Sequence, residues 1–463
     1  MTNPESAGGD QADQAPLSAR PRPRHRRART GDRYPTCLHQ RASLVERREL
    51  LGGAADNLLM RYRILGLLKP DVLERAIEVV VDRHLALRTV FPDHSPDEAL
   101  IAPPVVPLAR AEAPARDDEL LAARQEPFDT ARDVAVRATL YPVASGGFDL
   151  VLVVDHLACD GIQSLHLLGT EMARAYAALA LGREPDLPEL PYAFSDFAEE
   201  HRRWLTEGVQ SAILRHWDER LPEGAGVPVL PIDVTDGPPA PVLACWVGLP
   251  PGTVPTLRRQ HRATPFVLGL AGVCAALAEA GQERPGVMST AINPWPGLER
   301  LIGHFASLVI LTPDRPSRSE LRDDGFGPWL ASARRETMAA IAHADLPFDD
   351  VTSAVRPDFS WTRLPPYVFY GSRARTTYPD WSAGNVTATA TDVPQPAYAV
   401  HPGLKWQLVG AGDDWSFRCQ YSPAAHRDAD VAGLVTYAAQ VLADAAGTTS
   451  PGEPSFEAAV SGG

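Results

Sequence analysis

An α/β protein of two lobes is the fold this sequence predicts, and three observations carry the prediction. The chain has 463 residues, more than one hydrophobic core organises comfortably. Segments of helical and strand periodicity follow one another without a strict βαβ repeat. Prolines and glycines also gather without periodicity across Pro222–Pro241, which marks a boundary between lobes. The expected division is a Pro/Arg-rich disordered tail over 1–34, a first lobe over 35–222, a second over 223–447 and a disordered tail over 448–463.

Each element follows from its pattern. A helix is expected over His39–Leu51 and a strand over Leu58–Leu65. Leu73, Ala76, Ile77 and Val80 lie at helical spacing within Val72–His84. Val134–Tyr141 and Phe148–His156 are rich in β-branched and apolar residues and flank the turn residues Ala144 to Gly147, which predicts a hairpin. Phe148, Leu150, Leu152 and Val154 share one face of its second strand, and strand parity extends that face to His156. Ile162–Leu181 is helical and stops at Gly182. A long helical stretch runs over Ser195–Leu221, and an apolar helix over Thr264–Gly281. Strands are expected at Gly286–Ile292, Ser307–Thr312, Tyr367–Tyr370, Lys405–Gly410 and Trp415–Tyr421.

Composition narrows the function. With 44% hydrophobic and 22% charged residues the chain is an ordinary folded one, neither disordered nor fibrous throughout. Its longest apolar run, Phe266–Ala278, is too short to span a bilayer. No basic-then-apolar leader opens the chain, so the expected location is cytoplasmic, away from membranes. The net charge of -14 is uneven: residues 1–34 carry seven Arg against four acids, and the acidic remainder argues against nucleic acid as a partner. The Arg20–Arg29 stretch reads as a solvated tail. Five scattered cysteines with no CxxC pair favour neither a disulfide framework nor a structural zinc site. GxSxG, GxxxxGK[ST], HExxH and strand-borne GxGxxG motifs are missing, and the expectation is that no metal or cofactor is bound.

One segment stands out, Val153-Val154-Asp155-His156-Leu157-Ala158-Cys159-Asp160-Gly161. A strand delivers a histidine at its end, and four residues later Asp-Gly turns the chain into a helix. His156 there suits a general base or an orienting group, since imidazole titrates near neutrality; a purely structural histidine is the other reading. Asp160 suits a loop brace and Gly161 a close backbone approach.

The segment resembles the HHxxxDG motif of the condensation-domain superfamily, acyltransferases of nonribosomal peptide assembly with a fold like that of chloramphenicol acetyltransferase. Further segments resemble the family in order: Arg83 to Phe91 its RHEALRTxF signature, Pro127-Phe128-Asp129 the lead into the motif hairpin, and Phe197 to Leu205 with His216-Trp217 to Leu221 its long helix. Leu301 to Leu311 is similar to IGxFxNTLxLR, and His343 to Asp349 to HQDxPFE. Together they cover roughly residues 35–445.

The resemblance implies two chloramphenicol acetyltransferase-like lobes in a V-shaped pseudo-dimer, with a tunnel between them. It implies acyl transfer from a thioester on an acyl- or peptidyl-carrier protein, whose phosphopantetheine is the substrate arm, to a small-molecule or carrier-bound amine or alcohol. His156 would take or position the nucleophile's proton, Asp160 would brace the loop, and Gly161 would place its amide near the reacting centre. Three departures accompany it. Asp155 replaces the first motif histidine as a supporting position. Asn293 falls where the family's usual arginine stands. His304 and Ser307 alter the second-half motif, and both are candidate substrate-binding residues. No carrier, adenylation or thioesterase segment is left over, so the expectation is a free-standing condensation enzyme of antibiotic or other secondary metabolism. A coenzyme A-dependent acyltransferase and a catalytically silent docking module are the alternatives.

Overall fold

The computed structural model describes residues 19–23, 28–49, 57–221, 242–282, 286–314, 325–357, 368–373, 378–393 and 403–458. The Pro222–Pro241 boundary lies outside the described residues, as do 1–18, 24–27 and 459–463 of the two tails.

Two large sheets organise the molecule. In chain order the first half contributes β1 (Arg33–Pro35), α1 (Leu38–Glu49), β2 (Leu58–Leu65), α2 (Pro70–Arg83), β3 (Thr89–Val90), β4 (Glu98–Ile101) and β5 (Leu108–Arg110). It continues with α3 (Asp117–Gln125), β6 (Val136–Pro142), β7 (Phe148–Val154), α4 (Gly161–Ala180), α5 (Phe194–Trp204) and α6 (Gln210–Arg220). The second half contributes β8 (Leu243–Gly248), α7 (Thr253–His261), α8 (Pro265–Glu279), β9 (Val287–Ile292), β10 (Ala306–Leu311), α9 (Phe326–Ala342) and α10 (Phe348–Val355). It ends with β11 (Val368–Arg373), β12 (Trp381–Ala383), β13 (Val386–Ala390), β14 (Leu404–Ala411), β15 (Asp414–Tyr421), α11 (Asp428–Ala446) and β16 (Ser455–Ala458).

The six-stranded sheet runs β12-β13-β2-β7-β6-β5, the seven-stranded sheet β10-β9-β11-β14-β15-β8-β16, and β1-β4-β3 form a small third sheet. β7 is buried along most of its length because both its faces are covered. Leu150, Leu152 and Val154 join the core under α2 and α4, while Val151 and Val153 pack with Leu120 and Phe128 on the other face. α8 is apolar all round, and everything from Val267 to Ala278 is buried, as expected of a helix at the centre of a core. Thr264 caps it by accepting from the Val267 amide. Among the described residues no single helix is long and apolar enough to cross a membrane.

The structure changes several boundaries. Residues 381–390, which the chain division assigns to the second lobe, cross over as two strands of the first sheet: β13 pairs with β2, Thr387 opposite Leu65 and Ala390 opposite Tyr62, and β12 pairs with β13. The tail over 448–463 is not wholly disordered: β16 adds to the edge of β8, Ser455 opposite Trp246. Nor is the Pro/Arg tail over 1–34 simply solvated. Arg20 forms an ion pair at 2.6 Å with the buried Asp345 and donates to the Ala342 carbonyl, and Arg33–Pro35 is a strand. A buried carboxylate needs a partner, and that need recruits the arginine from more than 300 residues away. The long helix over Ser195–Leu221 is broken at Leu205–Val209, where Gly208 adopts φ 106°, a conformation open to glycine at little cost.

Candidate active site

The motif segment departs from its strand earlier than parity implies. β7 ends at Val154, and His156–Ala158 forms a single 3-10 turn. Asp155 ends the ladder because its carboxylate caps that turn, accepting the Leu157 amide at 3.0 Å. His156 is half-buried at the start of the turn. Gly161 then opens the 20-residue α4, so the first turn of a long helix, the end at which amides lack intrahelical partners and the dipole is positive, begins shortly after the histidine in the chain. A Cβ on Gly161 would meet no atom within 4 Å; the space beside it is open.

Asp160 joins the two halves of the chain. It is 4% exposed, and its carboxylate accepts the Phe305 amide at 2.9 Å and the Ala306 amide at 3.0 Å. Its own amide donates to the Gly303 carbonyl at 2.9 Å. The start of β10 is thereby pinned onto the motif loop. Burial pushes the Asp160 carboxyl up to about 7, against the pull of the two amides. No arginine or lysine pairs with it among the described residues. The ionisable neighbour is His304, whose Nδ1 lies 3.8 Å from a carboxylate oxygen.

His304 packs against His156 edge to face, ring centroids 5.7 Å apart. It is 8% exposed, and burial together with the neighbouring His156 holds its pKa well below the usual histidine range, so the ring is neutral. Its Nε2 lies 3.1 Å from the Ser43 hydroxyl, while Nδ1 has no hydrogen-bond partner among the described residues. Asp155 is buried and paired with Arg47 through both oxygens, at 2.6 and 3.1 Å. The structure thus brings His156, Asp155, Asp160, Gly161 and His304 together. It directs Ser307 elsewhere: that hydroxyl donates to the Leu346 carbonyl at 3.1 Å and ties β10 to the turn before α10. Asn293 uses its side-chain oxygen to accept the Trp295 amide. Cys159 is fully buried, and burial pushes its thiol up, so it offers no thiolate.

The other motif residues frame this centre. His84 Nε2 lies 2.9 Å from Glu171 and Nδ1 accepts the Ile302 amide. That pattern suits a neutral ring with its proton on Nε2, and it ties the end of α2 to α4 and to the loop before β10. Arg88 donates to the Ala102 carbonyl at 2.9 Å and pairs with Asp82. Sequence reasoning missed Gln40, Ser43 and Arg47, the α1 residues that reach the site. Their spacing of three and four along a short helix was the available signal. No group of three or more His, Cys, Asp or Glu side chains among the described residues is arranged to hold a metal ion.

This fold, two α/β lobes of the chloramphenicol acetyltransferase type with a histidine in the turn that follows a central strand, defines a class. Within it, the condensation-domain model matches residues 57–454, and the chain belongs to the condensation-domain family. Relatives are nonribosomal peptide synthetases. The chain is 30% identical over 320 residues to a probable non-canonical nonribosomal peptide synthetase, CymA, of Salinispora arenicola, covering 65% of this chain and 4% of that protein. It is 29% identical over 337 residues to the phosphinothricin tripeptide synthetase PhsC of Streptomyces viridochromogenes, covering 68% and 30%. The chain therefore spans less than a third of either relative. Among solved structures the fold is shared with the X-domain of teicoplanin biosynthesis in its complex with OxyB, at TM-score 0.74 and 22% identity over 92% of this chain and 96% of that one. It is shared too with the first condensation domain of the calcium-dependent antibiotic synthetase, at TM-score 0.65 and 15% identity over 90% and 97%.

Proposed function

We propose that the chain transfers an acyl group from a thioester, carried on the phosphopantetheine of a carrier protein, to an amine or hydroxyl acceptor, giving an amide or ester. The observation that carries this reading is the setting of His156: half-buried in the turn between β7 and α4, its ring against His304 of the second half, in a motif loop that Asp160 pins to β10 and that has open space at Gly161.

The acceptor's lone pair attacks the thioester carbonyl, and His156 takes or positions the proton that the acceptor loses. Negative charge on the carbonyl oxygen is met by the N-terminal amides of α4, Gly161 foremost. Collapse of the intermediate breaks the carbon–sulfur bond, and the proton passes to the leaving thiolate. A neutral amine attacks unaided once positioned, so an alcohol acceptor depends more heavily on His156.

A second reading, a silent docking module, is favoured by the ion-paired Asp155 in the first motif position and by the likeness in fold to an X-domain whose structure is a complex with OxyB. One experiment separates the readings. Wild type and His156→Ala are incubated with carrier-, pantetheine- and coenzyme A-linked acyl thioesters and pooled amines and alcohols, with mass spectrometry of products. A product lost in the variant supports transfer through His156, and the donor that works separates carrier from coenzyme A chemistry. A product that persists in the variant removes His156 from the mechanism. A folded wild type without product on any donor supports the docking module.

A further inference from the structure

Helix α1 lies outside the residues 57–454 that match the condensation-domain model, yet three of its side chains reach the site. Gln40, Ser43 and Arg47 stand at i, i+3 and i+7, a spacing that places them on one stripe of a helix. Gln40 Nε2 donates to the Leu157 carbonyl at 2.9 Å. The Ser43 hydroxyl lies 3.1 Å from His304 Nε2. The Arg47 guanidinium grips both oxygens of Asp155. The residue before His156, the residue after it and the ring packed edge-on against it are therefore all held from one helix.

Each of these tethers ends on a buried group. Asp155, Leu157 and His304 are all buried, so a shift of α1 would strand a carboxylate, a carbonyl and a ring nitrogen away from water. A bidentate guanidinium–carboxylate pair also fixes direction as well as distance. Asp155 completes a third bond, to the Leu157 amide, which transmits its position to the turn that carries His156.

We propose that α1 is the positioning element of this site: Arg47, acting through Asp155, and Ser43, acting through His304, are positioning residues that set where the His156 imidazole points. The kinetic consequence rests on the acyl-transfer reading above; the placement of the ring does not.

The test uses Arg47→Ala, Arg47→Lys and Ser43→Ala in the full chain, with two readouts. One is kcat and donor KM for acyl transfer. The other is the His156 ring resonance by NMR, assigned with His156→Gln. Misplacement of a reacting group by about 1 Å costs roughly 100-fold, so Arg47→Ala is expected to lower kcat by that order with donor KM within about twofold. It should also shift the His156 resonance, with Arg47→Lys recovering part of both effects. Ser43→Ala should act in the same direction, by roughly tenfold, since it releases one tether only. Wild-type kcat and an unmoved resonance in Arg47→Ala would overturn the proposal. So would a loss of activity that only tracks the folded fraction while the resonance stays put. If Arg47→Ala does not fold, Arg47→Lys and Ser43→Ala carry both readouts. If the wild type transfers no acyl group, the functional reading fails, and the resonance alone decides the role of α1.

Discussion

Gly161 and Gly303 both adjoin the motif loop, but a methyl group meets different surroundings at each. At Gly161 it would point into open space, whereas at Gly303 it would come within 2.3 Å of Phe305 Cζ and 2.7 Å of Phe194 Cε2, two rings locked in the core. Gly303→Ala is accordingly expected to cost about 1–3 kcal/mol through overpacking, and Gly161→Ala within about 0.5 kcal/mol. Urea unfolding of the two variants checks the contrast. If the acyl donor occupies the space beside Gly161, Gly161→Ala also lowers kcat/KM with its stability intact. Asp155→Ala should be costlier, about 3 kcal/mol, because it leaves the Arg47 guanidinium largely buried and unpaired. A denaturation midpoint equal to wild type would contradict that. At this scale the spacing singled out His156, Asp160 and Gly161, and it was the resemblance to the condensation motif that gave them their expected roles. The sequence could not show that Asp155 answers Arg47, because the two lie 108 residues apart and no local pattern connects them.

Among the elements, the regular core segments were legible and the edges were not. β2 spans Leu58–Leu65 as its pattern predicts, and α8 follows from an unbroken apolar run with a threonine cap. β12, β13 and β16 are only three, five and four residues long, too short for a periodic pattern to stand out in the sequence. Such strands form because an edge of backbone N–H and C=O groups nearby needs a partner, which is a property of the neighbour. A chain ending at Gly452 lacks β16 and bares the β8 edge. It is expected to melt several degrees lower and to aggregate more readily on heating; scanning calorimetry with light scattering measures both. An unchanged melting temperature would mean that β16 adds nothing to the sheet.

For the whole molecule, buried histidines set the response to acid. Burial holds His39 down at about 4 and His216 at about 3, and keeps His84, His201, His304 and His343 below their ordinary value as well. These groups are neutral when folded and take up protons near 6.5 when unfolded. Their contribution is thus complete above pH 6.5 and is lost as pH falls toward 4. For His39 alone the loss is on the order of 3 kcal/mol. Asp160 acts with the opposite sign, since its raised carboxyl favours the folded state below about pH 4 and loses that advantage as pH rises through about 7. Burial raises Asp345 and Asp350 too, and they act with Asp160; the six histidines outnumber the three carboxyls, so the unfolding free energy should fall from pH 7 to pH 4, and less steeply in His39→Gln. Urea titrations across that range test the sign, and a flat profile would refute it.

From the sequence alone came the fold class, the order of the main helices and strands, the family, and the histidine on which the chemistry would turn. These are written in local periodicity and in motifs a few residues long, where each residue's neighbours are its neighbours in sequence. Only the tertiary structure decided what surrounds that histidine. The ring of His304 comes from the second half of the chain, the clamp of Arg47 and Ser43 from α1, the partner of Asp345 from Arg20, and two strands of the first sheet from residues 381–390. The physical reason is common to all four. A buried polar group or an open sheet edge requires a partner, but the requirement does not specify from which part of the chain the partner comes.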